Sequence, residues 1–239
     1  MSIRVLFFAL FSLFFLQTGV GEELTLSRIE GAFGFDWKYN RTTRNHFEMF
    51  SYGSVQANNI YTVDAGFLFN GNHYFDESVS FLGAELSLSK VPVSFFTFLR
   101  NFNIRLLYIY DAIPEYRMRS HSLIPSISFN SKYVEVSLGP HWRWTSFLGE
   151  AAILEGQAAL SLVITPFTTE KWTAGINIAN FDEYFPGGLW DFYLKIFCNY
   201  RLSKQLSLDN ALYLYQSGID GWTVTFYGFK ARSALTLAW

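Results

Sequence analysis

The sequence predicts an all-β fold: a transmembrane, antiparallel, up-and-down β-barrel of twelve strands, with ten as the alternative. Three observations predict it. Apolar and polar residues alternate with period two along most of the chain, which in a strand sends i, i+2 and i+4 to one face. Charges within those segments keep to one of the two faces. Two kinds of connection, one compact and one more polar, alternate between the segments.

Composition points the same way. Half of the 239 residues are hydrophobic, 20% are aromatic and 16% are charged. Ordinary soluble domains carry roughly 25% charged residues, so part of this apolar surface is expected to face lipid. Lys+Arg 18 against Asp+Glu 20 gives a formal net charge of −2. The hydrophobicity excludes a disordered chain. The missing basic excess argues against nucleic acid as a partner, because counterion release needs clustered cations. Cys198 stands alone, which excludes a disulfide scaffold and cysteine zinc clusters.

The amino terminus reads as an address. Arg4 precedes the apolar run Val5 to Leu16, and small residues up to Gly21 precede Glu22 and Glu23. That order predicts a cleaved secretory signal peptide over 1–21 and a barrel over 22–239. The run is shorter than the ~20 residues a spanning helix needs, which disfavours an uncleaved anchor.

The strands follow in order. Alternation marks 29–39, 59–69, 79–89 and 98–111, with 44–56 the weakest. If 22–57 lay outside the wall, ten strands would remain. In 133–146, Val134, Val136, Leu138, Trp142 and Trp144 oppose Glu135, Ser137, His141 and Arg143. The segments 150–164, 172–181, 189–202 and 206–215 behave alike, and the chain ends on a strand after Gly221. In that last strand the apolar phase changes from Trp222, Val224 and Phe226 to Leu235, Leu237 and Trp239. One extra residue near Gly228 would produce this, so a β-bulge is predicted there, with a tight hairpin at 228–231 as the competing reading.

Compact turns are expected at Ala57-Asn58-Asn59, Lys90-Val91-Pro92, Asn130-Ser131-Lys132, 166–171 and 203–205. Polar loops are expected at 39–45, 70–77, 112–120, 145–149, 182–188 and 216–221. An even strand count puts both termini on the turn side.

Glu30, Asp36, Asp64, Glu85, Arg105, Glu135, Arg143, Glu155, Lys195, Arg201, Asp209 and Arg232 all fall on the polar face. Arg100 and Glu150 depart from this, but both sit at strand ends, where long side chains reach headgroups. A lipid-facing Arg or Lys near the midplane would cost ~2–4 kcal/mol. Every Trp lies near a strand end. Trp37, Trp142, Trp144, Trp190 and Trp222 fall on the loop side, and Trp172 and Trp239 on the turn side. Two aromatic girdles at the membrane interfaces are the expected reading, against Trp capping a soluble core.

The terminal run Ser233-Ala234-Leu235-Thr236-Leu237-Ala238-Trp239 resembles the carboxy-terminal signal by which bacterial outer-membrane proteins are recognised for insertion. With the signal peptide and the strand pattern, the mature chain resembles a bacterial outer-membrane β-barrel of a Gram-negative-type envelope. The resemblance implies location in that membrane, outer-membrane lipid as surroundings, the barrel-assembly machinery as a partner during insertion, and a monomer.

The sequence offers little catalytic chemistry. Outer-membrane barrel enzymes place a His and a Ser together near the outer leaflet, but no His-x-Ser spacing occurs here. His121 and Ser122 fall on opposite faces of a regular strand, which makes His121 a rim residue. No catalytic residue, metal ligand or cofactor is nominated, and no phosphate loop or nucleophile elbow is present.

The candidate site is therefore the lumen. A charged network of Glu85, Arg105, Glu135, His141, Arg143, Glu155, Lys195, Arg201 and Asp209 is expected to face it. Reading 145–149 as a hairpin puts His141 opposite Glu155. Asn199 falls opposite Asp209, with Arg201 diagonal to it. Mixed signs argue against strong selection by charge. The expected function is a narrow, porin-like passive channel for small solutes, or a structural barrel whose lumen is filled by side chains. The alternatives are an outer-leaflet lipid-modifying enzyme and a surface-interaction protein.

Overall fold

A computed structural model describes residues 26–40, 44–57, 61–70, 81–92, 101–113, 118–147, 150–181, 192–217 and 225–239. The segment read as a signal peptide lies outside them. The described residues form β1 (Leu26–Asn40), β2 (Arg44–Ala57), β3 (Tyr61–Asn70), β4 (Phe81–Pro92), β5 (Asn101–Ile113) and β6 (Met118–Asn130). They continue with β7 (Val134–Phe147), β8 (Ile153–Thr168), β9 (Trp172–Ala179), β10 (Phe192–Arg201), β11 (Leu206–Ser217) and β12 (Thr225–Ala238). Each strand pairs with its neighbours in sequence, and β1 pairs with β12, so the sheet closes. All these pairings are antiparallel.

The seam between first and last strand runs from Glu30↔Ala238 to Asn40↔Gly228. It continues into the terminal residue, where Trp239 N–H donates to Ile29 O at 2.8 Å and Ile29 N–H to Trp239 O at 3.1 Å. Gly34 lets the two strands approach. A Cβ there would collide with Ser233 O and lie 2.7 Å from Ala234 Cβ.

Polarity is inverted relative to a soluble protein. The inward residues of β1 and β12 include Asp36, 0% exposed, and Lys230, 1% exposed. The outward residues Phe33, Phe35, Leu235 and Leu237 are exposed. The same alternation runs along β7, where Val136, Leu138 and Trp142 face out and Ser137, His141 and Thr145 are buried. A wall of exposed large apolar side chains around a polar interior cannot be stable in water, and lipid is the solvent that suits it. No helix among the described residues is long and apolar enough to cross a membrane; a barrel crosses with strands.

Several expectations need correction. Lys90, Val91 and Pro92 are not a turn but the end of β4, reached through a register shift between Leu88 and Val91. An irregularity carries the strand past its regular pairing, and only then does the proline, lacking an N–H, end it. The hairpin alternative at 228–231 is not formed. β12 is continuous, with a register shift at which Tyr215 pairs with Gly228 and Gln216 with Phe226. Tyr227 is the extra residue, and it produces the phase change. The weakly patterned 44–56 region is β2, paired with both β1 and β3. The segment expected over 172–181 stops at Ala179, which makes β9 a strand of 8 residues beside a β8 of 16.

Candidate functional site in the lumen

The turn-side half of the barrel holds a cavity of about 1040 Å³ that opens between the turns. Its walls carry both signs of charge. Arg28 Nη2 lies 2.7 Å from Glu30 Oε2, and Tyr52 O–H donates to Glu30 Oε1 at 3.1 Å. Arg105 and Glu135 approach to 4.0 Å across β5 to β7. Lys195, Arg201 and Asp209 line the opposite wall, together with the amides Asn177 and Asn199. Thr236 O–H donates to Asp209. The strands dictate this placement, because alternate residues of β10, β11 and β12 point inward.

At the cavity's inner end a buried ion cluster spans the seam. Arg232 donates from Nε to Asp36 Oδ1 at 2.7 Å and from Nη2 to Asp36 Oδ2 at 2.6 Å. Lys230 Nζ lies 4.0 Å from the same carboxylate and 3.9 Å from the centre of the Tyr213 ring. Lys195 Nζ lies 5.1 Å from that ring, and the Arg232 guanidinium sits 4.1 Å from the Phe50 ring. Such cations over aromatic faces are held by the ring quadrupole. Tyr193, Tyr213 and Tyr215 pack with Ala179 beside the cluster.

Beside the ion cluster, midway along the barrel, lies an apolar neck, with Phe50 and Ala234 in register with Gly34. Phe50, Leu107, Ile109, Ile124, Ala159, Phe181 and Ala234 form one buried cluster, drawn from β2, β5, β6, β8 and β12 and from the residue that follows Asn180. Tyr193 O–H donates to Phe181 O at 2.8 Å.

The nine expected lumen residues thus separate by height. Arg105, Glu135, Lys195, Arg201 and Asp209 share the turn-side cavity. His141 and Arg143 lie on the loop side, outside its lining; His141 is 1% exposed. Asn199 pairs with Asp209, as the pattern suggested. His141 does not pair with Glu155. It pairs with Gln157, whose Nε2 lies 3.4 Å from His141 Nδ1, and Glu155 pairs with Arg143. The register is displaced by two residues, which preserves the face and changes the partner. Glu85 lies on β4, in register with Asp64 and Leu107.

Among the Trp residues, Trp37, Trp142 and Trp144 lie in the loop-side parts of β1 and β7. Trp37 and Trp142 are exposed, and Trp37 packs edge-on to Phe229 at 5.1 Å. Trp172 opens β9, 4.3 Å from the Tyr200 ring, and Trp239 follows β12. Trp190 and Trp222 lie outside the described residues.

Parity put Asp36 and Arg232 on the polar face but did not join them, since 196 residues separate the two. Lys230 was obscured by the phase change at Tyr227. Phe181 lies past the end of β9 but keeps the inward phase of Asn177 and Ala179, and alternation did not mark it as part of the site. His121 faces outward and its Nδ1 lies 2.7 Å from Tyr108 OH. Ser120 and Ser122 are buried on the opposite, inner face. Neither His121 nor His141 has a hydrogen bond to a serine among the described residues.

No known protein family matches the chain, and no curated protein is similar to it in sequence. Solved structures are similar in fold. An outer-membrane channel from Pseudomonas putida F1 is 11% identical, with 92% of this chain and 98% of that chain covered and a TM-score of 0.51. The KdgM porin in complex with disordered oligogalacturonate is 12% identical, with 86% and 98% covered and a TM-score of 0.47. Outer-membrane phospholipase A from Escherichia coli is 8% identical, with 90% and 98% covered and a TM-score of 0.49. The likeness to the Pseudomonas channel shows the fold. The chain has the all-β, antiparallel, up-and-down architecture of bacterial outer-membrane barrels.

Proposed function

We propose that this chain is an integral protein of a bacterial outer membrane, a barrel of twelve transmembrane strands that acts as a narrow passive channel for small solutes. The observation that carries the reading is the polar cavity of about 1040 Å³ inside an apolar outer wall. A barrel that served only as a scaffold would fill that volume with side chains, because unfilled space forfeits contacts. In this reading residues 1–21 are removed on export, the assembly machinery inserts a monomer, and the charged residues of the nine-member network line the solute's route. The Trp residues at the two ends sit at the lipid headgroups.

A structural barrel with a closed lumen is the second reading. The Asp36, Lys230 and Arg232 cluster and the apolar neck favour it. Purified, folded protein in planar bilayers and in solute-loaded liposomes separates the two. Step conductances or swelling in small sugars support the channel. Sealed membranes at confirmed insertion would leave the structural reading.

A further inference from the structure

We infer that Phe181 is the residue that limits permeation, as the one part, among the described residues, of an apolar neck between two polar regions of the lumen that no strand carries; this rests on the channel reading. On the side of β2, β5 and β6 the neck is built from Phe50, Leu107, Ile109 and Ile124, all within 3% exposure and all carried by wall strands. Below it lies the charged turn-side cavity. On the loop side, Ser120 Oγ, Ser122 Oγ and His141 Nε2 are buried without a hydrogen-bond partner among the described residues. Buried polar groups are ordinarily paired, so unpaired ones mark this side as polar rather than apolar. An apolar segment between polar regions resists passage because water and hydrated solutes leave it readily.

Phe181 differs from the rest of the neck in how it is held. β9 ends at Ala179, where the pairing reaches Ser161 on β8 and Tyr193 on β10. The chain therefore leaves the wall partway along β8, not at its rim. Asn180 fixes the departure point. Its Nδ2 donates to Ala158 O at 2.7 Å, and its Oδ1 accepts from Leu160 N–H at 2.7 Å. The next residue turns inward, so that Phe181 both lines the cavity and joins the apolar cluster, 7% exposed. Its carbonyl is held by the Tyr193 hydroxyl, which also accepts from Asn177 Nδ2 at 3.3 Å. Neck residues on strands cannot leave without breaking the wall. Phe181 can be withdrawn, or cut back, with every strand pairing intact.

The test compares wild type, Phe181→Ala and Tyr193→Phe in planar bilayers, with folding checked by heat-modifiable migration. Phe181→Ala should raise single-channel conductance about threefold or more, since the narrowest apolar segment dominates resistance. Tyr193→Phe keeps the ring and loses the hydroxyl, and with it the donor to Phe181 O and the acceptor for Asn177 Nδ2, so it should give an intermediate rise or more frequent openings. A conducting wild type that Phe181→Ala leaves unchanged would overturn the inference and spare the channel reading. Silence from all three folded proteins would overturn both.

Discussion

Arg232 and Asp36 lie 196 positions apart in the chain and meet in a two-bonded pair, at 2.6 and 2.7 Å, across the seam that closes the barrel. The carboxylate is fully buried and the guanidinium nearly so. Both oxygens are occupied, and the guanidinium also lies 4.1 Å from the Phe50 ring. Breaking such a pair from one side leaves a buried charge without its two-bonded partner, at a cost of about 3–5 kcal/mol, with Lys230 at 4.0 Å the remaining counter-charge for Asp36. Asp36→Asn and Arg232→Gln are each expected to destabilise the folded barrel by that order in denaturant titrations in lipid vesicles. The double variant should lose clearly less than the sum. Additive losses would mean that the two groups act independently.

Gly34 makes a second demand on the same seam. A side chain there meets Ser233 O and the Ala234 side chain, which stands opposite it in the register. Gly34→Val should therefore lower folded, heat-modifiable barrel in the membrane, by about 1–3 kcal/mol of overpacking if it still closes. Pairing Gly34→Ala with Ala234→Gly should recover part of the loss. Wild-type yields for Gly34→Val would show that the seam has room the geometry denies.

How much of this was legible beforehand depends on which physical signal carried it. The strands were readable because an apolar outward face alternates with a polar inward one, and that contrast writes period two into the residues. The same contrast placed Asp36, Arg105, Arg143, Lys195 and Arg232 on the inner face. Partners were harder. His141 was set against Glu155 instead of Gln157 because the loop after β7 could be cut at more than one length without changing any residue's face. The Asp36 and Arg232 pair needed knowledge that the sheet closes. Lys90 to Pro92 looked like a turn because proline so often ends a strand, while an irregularity carries β4 on to it. Phe181 lies two residues past the last paired residue of β9; alternation over 172–181 puts it on the face of Asn177 and Ala179, but nothing local announces that no strand pairing holds it.

The terminal residue separates two contributions to assembly. Trp239 holds the seam through its backbone, donating to and accepting from Ile29, and presents an exposed ring beyond it. Trp239→Ala retains the backbone bonds and loses the ring. It should slow insertion, as expected if the aromatic belongs to the recognition strand and the interface. Removing 233–239 also takes most of the β1 pairing and should abolish assembly. Undiminished folded protein in both cases would sink the insertion role.

Topology can be checked on described positions. Glu150 is exposed in the connection after β7, and Ser131 lies in the short turn before it. With Cys198→Ser as background, a cysteine at Glu150 should react with an impermeant thiol reagent on intact cells, and one at Ser131 only after the envelope is opened. The reverse pattern would invert the barrel in the membrane.

Arg143 tests the loop-side lumen. Alternation along β7 places it inward, between the outward Trp142 and Trp144, and its register partner is Glu155 on β8. Arg143→Glu changes the local charge by two units without touching the lipid face, and sets two carboxylates opposite each other. At roughly 7 Å in a water-like medium, two charge units act on a passing monovalent ion with about 1.2 kcal/mol, and about half of that survives at 0.1 M salt. The cation gains that half and the anion loses it, so the cation-to-anion permeability ratio should rise by about sevenfold, read as a reversal-potential shift across a salt gradient. Arg143→Gln should give about half the shift in free energy, because it removes one unit instead of two. Both substitutions leave the apolar neck in place, so single-channel conductance should change less than selectivity. Equal reversal potentials in conducting wild type and Arg143→Glu would mean that ions do not pass Arg143, and the route would have to run along another part of the wall.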